Sequence, residues 1–414
     1  MRGGVLTRPH KPRPPLPEGP YLVVGLARSG SAAALMLRDH GDVIGVDSGR
    51  PAAPPGVEAH VETDGVDLLE RVRTVVKSPG VPKEAAVIAA ARERGLEVMG
   101  ELELAWRLIP NEFIAVTGTN GKTTTVELLG EMHRAADVPA VVAGNVGTPL
   151  SSLAGSIEPE AVVVCEASSF QLEDTVAFAP ECAVLLNIEP DHIDRHGTFE
   201  AYRDAKLRVF ANQGPGDVAL KPPFPPLPIP AEELRLRGAH NVENAMAASA
   251  AAQARGLSPG AVADALRTFG GVPHRLEDVA EANGVTWIND SKATNVASAR
   301  VGIEAFAEGV HLIAGGSLKG GGFEGLRDAV AARCRAVYLI GEAVARLGAD
   351  LAPTGVPLVQ CGDLERAVAE AGAAAQAGDV VLLSPACASF DQYEDFEARG
   401  AHFRELAQRW AGTG

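Results

Sequence analysis

The sequence has no surplus of positive charge, no cysteine pattern and no long apolar run, and each absence removes a class of function. Lys and Arg total 37 against 53 Asp and Glu, a formal net charge of −16. Nucleic acids and anionic membrane surfaces demand a basic footprint, so neither is an expected partner. Any phosphate must be met by a local group. The five cysteines, Cys165, Cys182, Cys334, Cys361 and Cys387, are scattered without a CxxC pair. That spacing fits a reducing cytoplasm better than a disulfide framework or a zinc site. Spanning a bilayer takes about 20 consecutive apolar residues, and no run approaches this, so no membrane insertion is expected. The opening MRGGVLTRPHKPRPPLPEGP is basic and proline-rich, and the YLVVGLA behind it lacks a signal-peptide pattern. Residues 1–19 are expected to form a disordered tail.

What is present is an ordinary apolar content of 46% in 414 residues, enough for two or three cores. Short β-rich runs alternate with amphipathic or alanine-rich segments, the pattern of α/β domains with largely parallel sheets. Three blocks are expected. The first, 20–100, carries the strands YLVV, VIGVD and RTVVK. The second, 101–271, opens on a helical ELELAWRLI, contains FIAV, AVVVCE and CAVLLNI, and closes on the helices NVENAMAASAAAQARG and AVADALRTFG. The third, 272–414, holds VTWIND, VHLIAG, AVYLIG and VVLLSPA, with helices over FEGLRDAVAARC and DLERAVAEAGAAAQ. The prolines between Asp217 and Gly238 suit neither a central strand nor a helix interior, so a surface excursion is expected there.

TGTNGKTTT, residues 117–125, joins the strand FIAV to a helix. Glycines that admit a close backbone approach, a lysine and a following hydroxyl make this a phosphate-binding loop at a helix N-terminus, although Val116 stands where the common pattern has its first glycine. Glu166 ends the strand AVVVCE, where an acid can hold Mg²⁺ beside the phosphates or can simply be a solvated cap. GLARSG, residues 25–30, with Asp47 about twenty residues on, resembles a dinucleotide turn. Ala27 replaces the glycine that lets pyrophosphate approach, which counts against a nicotinamide cofactor and leaves a differently placed nucleotide or a plain tight turn. DHIDRH, residues 191–196, is a metal loop, a surface loop or a helper of the phosphate loop, with a poor donor set for zinc. GGSLKGGGF, residues 315–323, sets Lys319 in a glycine-rich loop suited to an anion. On the helix that follows DHIDRH, Phe199, Tyr202, Lys206, Val209 and Phe210 share one stripe. A lysine there either extends past its neighbours to water or does chemistry.

TGTNGKTTT, CEASSFQLE, NIEPDHIDRHGTFEAYRDAK, GAHNVENAMAA, His274-Arg275, NDSKATN, AGGSLKGG and LSPACASFDQYEDFEARG occur in one order over nearly the whole chain. In this the sequence resembles the Mur ligase family, ATP-dependent enzymes that add amino acids to peptidoglycan precursors, and within it the D-glutamate-adding branch. The resemblance implies a dinucleotide-like (Rossmann-like) UDP-binding domain, a central ATPase and a Rossmann-like C-terminal domain that takes the amino acid. It implies a reaction through an acyl phosphate, with UDP-N-acetylmuramoyl-L-alanine, D-glutamate and ATP as substrates. It also implies Mg²⁺ at two sites, with Mn²⁺ as an alternative, in a cytoplasmic monomer.

Position by position, the resemblance assigns Gly118, Thr119, Asn120, Gly121, Lys122, Thr123 and Thr124 to ATP, with Asn241 near adenine and Arg275 and Asp290 near ribose and phosphate. Thr123 and Glu166 match one Mg²⁺ site; His192 and Lys206, the latter as a carbamate, match the second. Lys122, His192 and Lys206 are the catalytic set. Arg28, Ser29, Asp47, Ser48 and Gly80 match the UDP site, and Asn145 and Ser168 the muramoyl-alanine end. Thr294, Lys319, Ser389 and Phe396 match the D-glutamate pocket. The chain departs from the family pattern at Gly49, where some members carry arginine, and at Ser317 and Leu318. Rival readings are an L-alanine-adding ligase, a folylpolyglutamate synthase, a phosphate-loop NTPase switch and a nicotinamide-dependent dehydrogenase.

Overall fold

The computed structural model describes residues 11–236, 238–318 and 321–413. The first sheet contains β1 (Tyr21–Val24), β2 (Val43–Asp47), β3 (Glu58–Val61), β4 (Thr74–Lys77) and β5 (Glu97–Gly100) in the order β3-β2-β1-β4-β5, all parallel. The second contains β6 (Phe113–Thr117), β7 (Ala140–Gly144), β8 (Val162–Glu166), β9 (Cys182–Leu185) and β10 (Val218–Leu220) in the order β10-β9-β6-β8-β7, again parallel. The third contains β11 (Glu277–Ala282), β12 (Val285–Asn289), β13 (Val310–Gly315), β14 (Cys334–Ile340), β15 (Leu358–Gly362) and β16 (Val380–Leu383). Its order is β11-β12-β16-β13-β14-β15, parallel except for the antiparallel β11. Such sheets need helices on both faces, and the alternation of strand and helix supplies them.

The ten interior strands coincide with the ten apolar runs legible in the sequence. The six strands without such a run, β3, β5, β7, β10, β11 and β15, are the six edges. An interior strand is covered on both faces and reads as continuous Val, Ile and Leu; an edge strand is not, as in the partly exposed EAHV of β3.

The chain divides into two compact units, one of residues 1–234 and 243–268 and one of residues 235–242 and 269–414. In the first unit the first two sheets share a core, in which Val23, Leu37 and Val76 join Trp106, Phe113 and Phe178. In the second unit the third sheet has one core on each face, around Leu312 and Leu382 and around Trp287 and Phe403. Residues 235–242, expected in the central block, group with the second unit.

Residues 11–19 depart from the expected disordered tail and lie along the first unit. The Arg13 guanidinium stacks 4.5 Å from the Trp106 ring centroid, donates to the Asn111 carbonyl at 2.8 Å and pairs with Glu181 at 3.1 Å. Tyr21 Oη donates to the Pro17 carbonyl at 2.8 Å. The prolines that suggested disorder hold the backbone extended, which lowers the entropy lost when it docks. Residues 1–10 lie outside the described residues. No helix among the described residues is long and apolar enough to cross a membrane.

Candidate active site

The phosphate loop runs from the end of β6 into the helix Lys122–Ala135, whose N-terminal amides and dipole favour an anion. Gly121 is required twice over. Its φ is +84°, and a Cβ there would lie 2.1 Å from Asn244 Oδ1. Side chains from elsewhere in the first unit hold the loop. Asn120 N donates to Asn187 Oδ1 at 2.8 Å, and Thr119 Oγ1 is 2.9 Å from Tyr202 Oη. Lys122 Nζ folds back to donate to the carbonyls of Gly118 at 2.8 Å and Thr119 at 2.9 Å. Thr124, two residues on in the helix, is buried.

Glu166 ends β8 beside this loop because β8 pairs with β6, Val116 opposite Glu166. Thr123 Oγ1 donates to Glu166 Oε2 at 2.8 Å, and Asn145 Nδ2 donates to Glu166 Oε1 at 2.9 Å. Three of the residues assigned from sequence thus meet on one carboxylate. A hydroxyl and a carboxylate beside a phosphate loop form a hard oxygen donor set, which fits Mg²⁺ completed by substrate phosphate and water.

Lys206 is 2% exposed. Its Nζ donates to the Gly118 carbonyl at 2.7 Å and lies 4.7 Å from the Tyr202 ring centroid. Burial, and secondarily the charge of Lys122, pulls its pKa down to about 7. The lysine therefore does not reach out to water. His192 is half exposed, its backbone in the left-handed region at φ +51°, with its ring 4.9 Å from Phe170 and 6.4 Å from Tyr202. Among the described residues no three or more His, Cys, Asp or Glu cluster to hold a metal.

In the first sheet both oxygens of Asp47 serve the turn: Oδ2 accepts from Leu26 N and Oδ1 from Gly49 N, each at 2.7 Å. This is the arrangement of a tight turn with a capping acid. Arg28 is exposed and donates to the Gly147 carbonyl at 2.7 Å. Ser29 is half-buried, Ser48 and Gly80 are exposed, and Ser168 caps the short helix Ser169–Leu172 through a reciprocal box with Gln171. Arg195 joins this region to DHIDRH, donating to the carbonyls of Gly80 at 3.3 Å and Val81 at 3.4 Å and stacking on Phe170.

In the second unit, Arg275 stands between two residues in the left-handed region, His274 at φ +63° and Leu276 at +44°. Backbone conformations of this kind persist only where surrounding structure enforces them. Asp290 is buried and accepts from Ser384 Oγ at 2.7 Å and Leu276 N at 3.3 Å; burial raises its pKa to about 7. Asn241 and Ser389 are buried, Thr294 is half-buried, and the Phe396 ring packs edge-on to His274 at 6.2 Å. Lys319 lies outside the described residues. Sequence reading missed Asn187, Asn244 and Arg195. Asn244 stands in the quoted GAHNVENAMAA, so a signal for it existed; its contact with Gly121 is long-range and left none.

Residues 116–222 match the model of the Mur ligase middle domain, and residues 274–387 that of the Mur ligase glutamate ligase domain. The chain is 42% identical to the UDP-N-acetylmuramoylalanine–D-glutamate ligase of Acidobacterium capsulatum, covering 95% of this chain and 96% of that protein. It is 39% identical to the ligase of the same name from Pelotomaculum thermopropionicum, over 93% and 96%. Among solved structures it resembles the UDP-N-acetylmuramate–alanine ligase of Thermotoga maritima, with TM-score 0.57, 18% identity and 96% and 100% of the two chains covered. The MurF ligase of Thermotoga maritima, solved with ADP, matches with TM-score 0.55 at 17% identity over 96% of each chain. These two likenesses concern the fold alone, whereas identity above 30% over nearly the full length carries descent. The chain belongs to the Mur ligase family.

Proposed function

We propose that the protein is an ATP-dependent ligase that joins D-glutamate to UDP-N-acetylmuramoyl-L-alanine in peptidoglycan precursor synthesis, serving cell shape and division. The observation that carries the reading is the near-full-length likeness to D-glutamate ligases. The phosphate loop with Glu166 and Thr123 at its side is what such chemistry needs.

The L-alanyl carboxylate attacks the γ-phosphorus of ATP and ADP leaves. The amine of D-glutamate then attacks the acyl carbon, phosphate leaves, and the amide forms after the amine loses its proton. The chain's task is to orient anions and screen their charge. Amides at the start of the helix Lys122–Ala135 and the Lys122 ammonium face the phosphates. In this reading Thr123 and Glu166 hold one Mg²⁺ and His192 and Lys206 a second; Mn²⁺ is an alternative. Bound Mg²⁺ supplies charge neutralisation at the transferring phosphoryl group. Lys206 serves as a ligand once its neutral amine has added carbon dioxide and released a proton, which turns a buried cation into an anion with two oxygen donors.

Arg28, Ser29, Asp47, Ser48 and Gly80 receive the UDP end, Asn145 and Ser168 the muramoyl-alanine end, and Asn241, Arg275 and Asp290 the nucleotide. Thr294, Lys319, Ser389 and Phe396 receive D-glutamate. The enzyme works as a cytoplasmic monomer. A coupled phosphate-release assay is expected to require ATP, Mg²⁺, UDP-N-acetylmuramoyl-L-alanine and D-glutamate together. Equal turnover with L-glutamate, or with D-glutamate omitted, overturns the reading.

A further inference from the structure

Arg399 is the most unusual charged side chain of the second unit. It is 1% exposed, in the first turn of the helix Phe396–Thr413, where the helix dipole disfavours a cation. Its acceptors are all neutral. Nε donates to Ser291 Oγ at 3.0 Å. Nη2 donates to the carbonyls of Ser291 at 2.8 Å and Cys387 at 3.1 Å, and Nη1 to those of Ala388 at 3.1 Å and Gly315 at 3.4 Å. Burial drives its pKa down to about 10. A charge buried among neutral partners is costly, and packing alone would be served better by an apolar side chain.

The acceptors lie on the turns that follow β12 and β16 and on the last residue of β13, three adjacent parallel strands, at the carboxyl edge where sheets of this class bind ligands. The turn after β12 leads to Thr294, and that after β16 carries Ser389. Ser291 Oγ, besides accepting from Arg399, donates to the Phe396 carbonyl at 2.9 Å. The turns are under constraint: Ala386 sits at φ +58°, and a Cβ on Gly316 would lie 2.1 Å from the Ala388 carbonyl oxygen. Ser317 ties the same two loops, donating from N to the Ala388 carbonyl at 2.9 Å and accepting from Asp391 N at 2.7 Å.

We propose that Arg399 is a positioning residue for the incoming amino acid: its guanidinium ties the turns that bear Thr294 and Ser389 to the end of β13 and to the start of its own helix, where Phe396 stands, and so governs affinity for D-glutamate. This rests on the reading of the second unit as the D-glutamate site. Its planar fork matches several carbonyls at once; a lysine ammonium, with three donors at one point, does not.

The test is steady-state kinetics of the full chain, with each substrate varied in turn, on Arg399→Lys, Arg399→Met and Ser291→Ala, with thermal unfolding as a check on folding. KM for D-glutamate is expected to rise about tenfold in Arg399→Lys, more in Arg399→Met, and about threefold in Ser291→Ala. KM for ATP and for the UDP substrate should stay within about twofold. A D-glutamate KM that stays at the wild-type value in folded Arg399→Lys, or three KM values that rise together, overturns the proposal. Should Arg399→Met not fold, the other two variants decide. Wild-type protein without D-glutamate-dependent turnover would instead overturn the functional reading, and the inference with it.

Discussion

Lys206 and Lys122 donate to the same acceptor, the Gly118 carbonyl, at 2.7 and 2.8 Å. Two ammonium groups on one oxygen repel, and both turn toward the phosphate loop. The more deeply buried of them, Lys206, has its pKa brought down to about 7, so that a substantial share of it is neutral at physiological pH. This lysine is thereby available to carbon dioxide as an ordinary lysine is not.

If Lys206 acts as a carbamate, Lys206→Ala removes a ligand that a small anion can replace. Turnover of Lys206→Ala should fall by about 100-fold or more and recover in part with added acetate or formate. Phosphate release measured against carboxylate concentration checks this. A flat response would reduce the lysine to a structural role.

Lys206 should also leave a mark on stability. Its pKa falls from the ordinary 10.5 to about 7 on folding. Below about 7 both states are protonated and the native state bears the full penalty; as pH rises toward the ordinary value, the penalty fades. Lys206→Met should therefore raise the unfolding temperature relative to wild type more at pH 6 than at pH 9. Calorimetry in carbon-dioxide-free buffer decides, and an equal difference at both pH values would count against the assigned burial of charge.

Glu166 holds Thr123 and Asn145 at once, so Glu166→Gln alters the proposed Mg²⁺ site and the loop after β7 together. Turnover is expected to fall by about 100- to 1,000-fold, with the Mg²⁺ concentration for half-maximal rate raised. Titration of Mg²⁺ against phosphate release measures both. An unchanged Mg²⁺ requirement would remove Glu166 from the metal's surroundings.

Arg13 separates packing from charge. Burial lowers its pKa despite Glu181, so the site disfavours the charge while Trp106 and Phe113 favour the flat side chain. Arg13→Ala should cost about 1–3 kcal/mol, and Arg13→Met, which keeps the packing, clearly less. Denaturant unfolding of both variants gives the comparison, with activity of the folded enzyme unchanged in each.

Local and continuous features were legible in the sequence. The ten interior strands announce themselves because burial on both faces demands unbroken apolar runs, and TGTNGKTTT because a phosphate loop is built from consecutive residues. Edge strands such as EAHV carry no such demand. Likewise, the prolines of residues 11–19 suggested disorder, since no local signal tells of Trp106 waiting 93 residues beyond Arg13.

Composition and local order alone thus determined that this is an α/β protein with a phosphate loop, an acid at a strand end and a lysine on an apolar stripe. Only the tertiary structure decided that the lysine is buried against the Gly118 carbonyl rather than extended to water. It alone set both oxygens of Asp47 on backbone amides and put Arg399 across the turns after β12 and β16 and the end of β13. The reason is physical: a side chain's pKa and partners depend on what the chain brings within a few ångströms from far along its length, and periodicity carries no record of that.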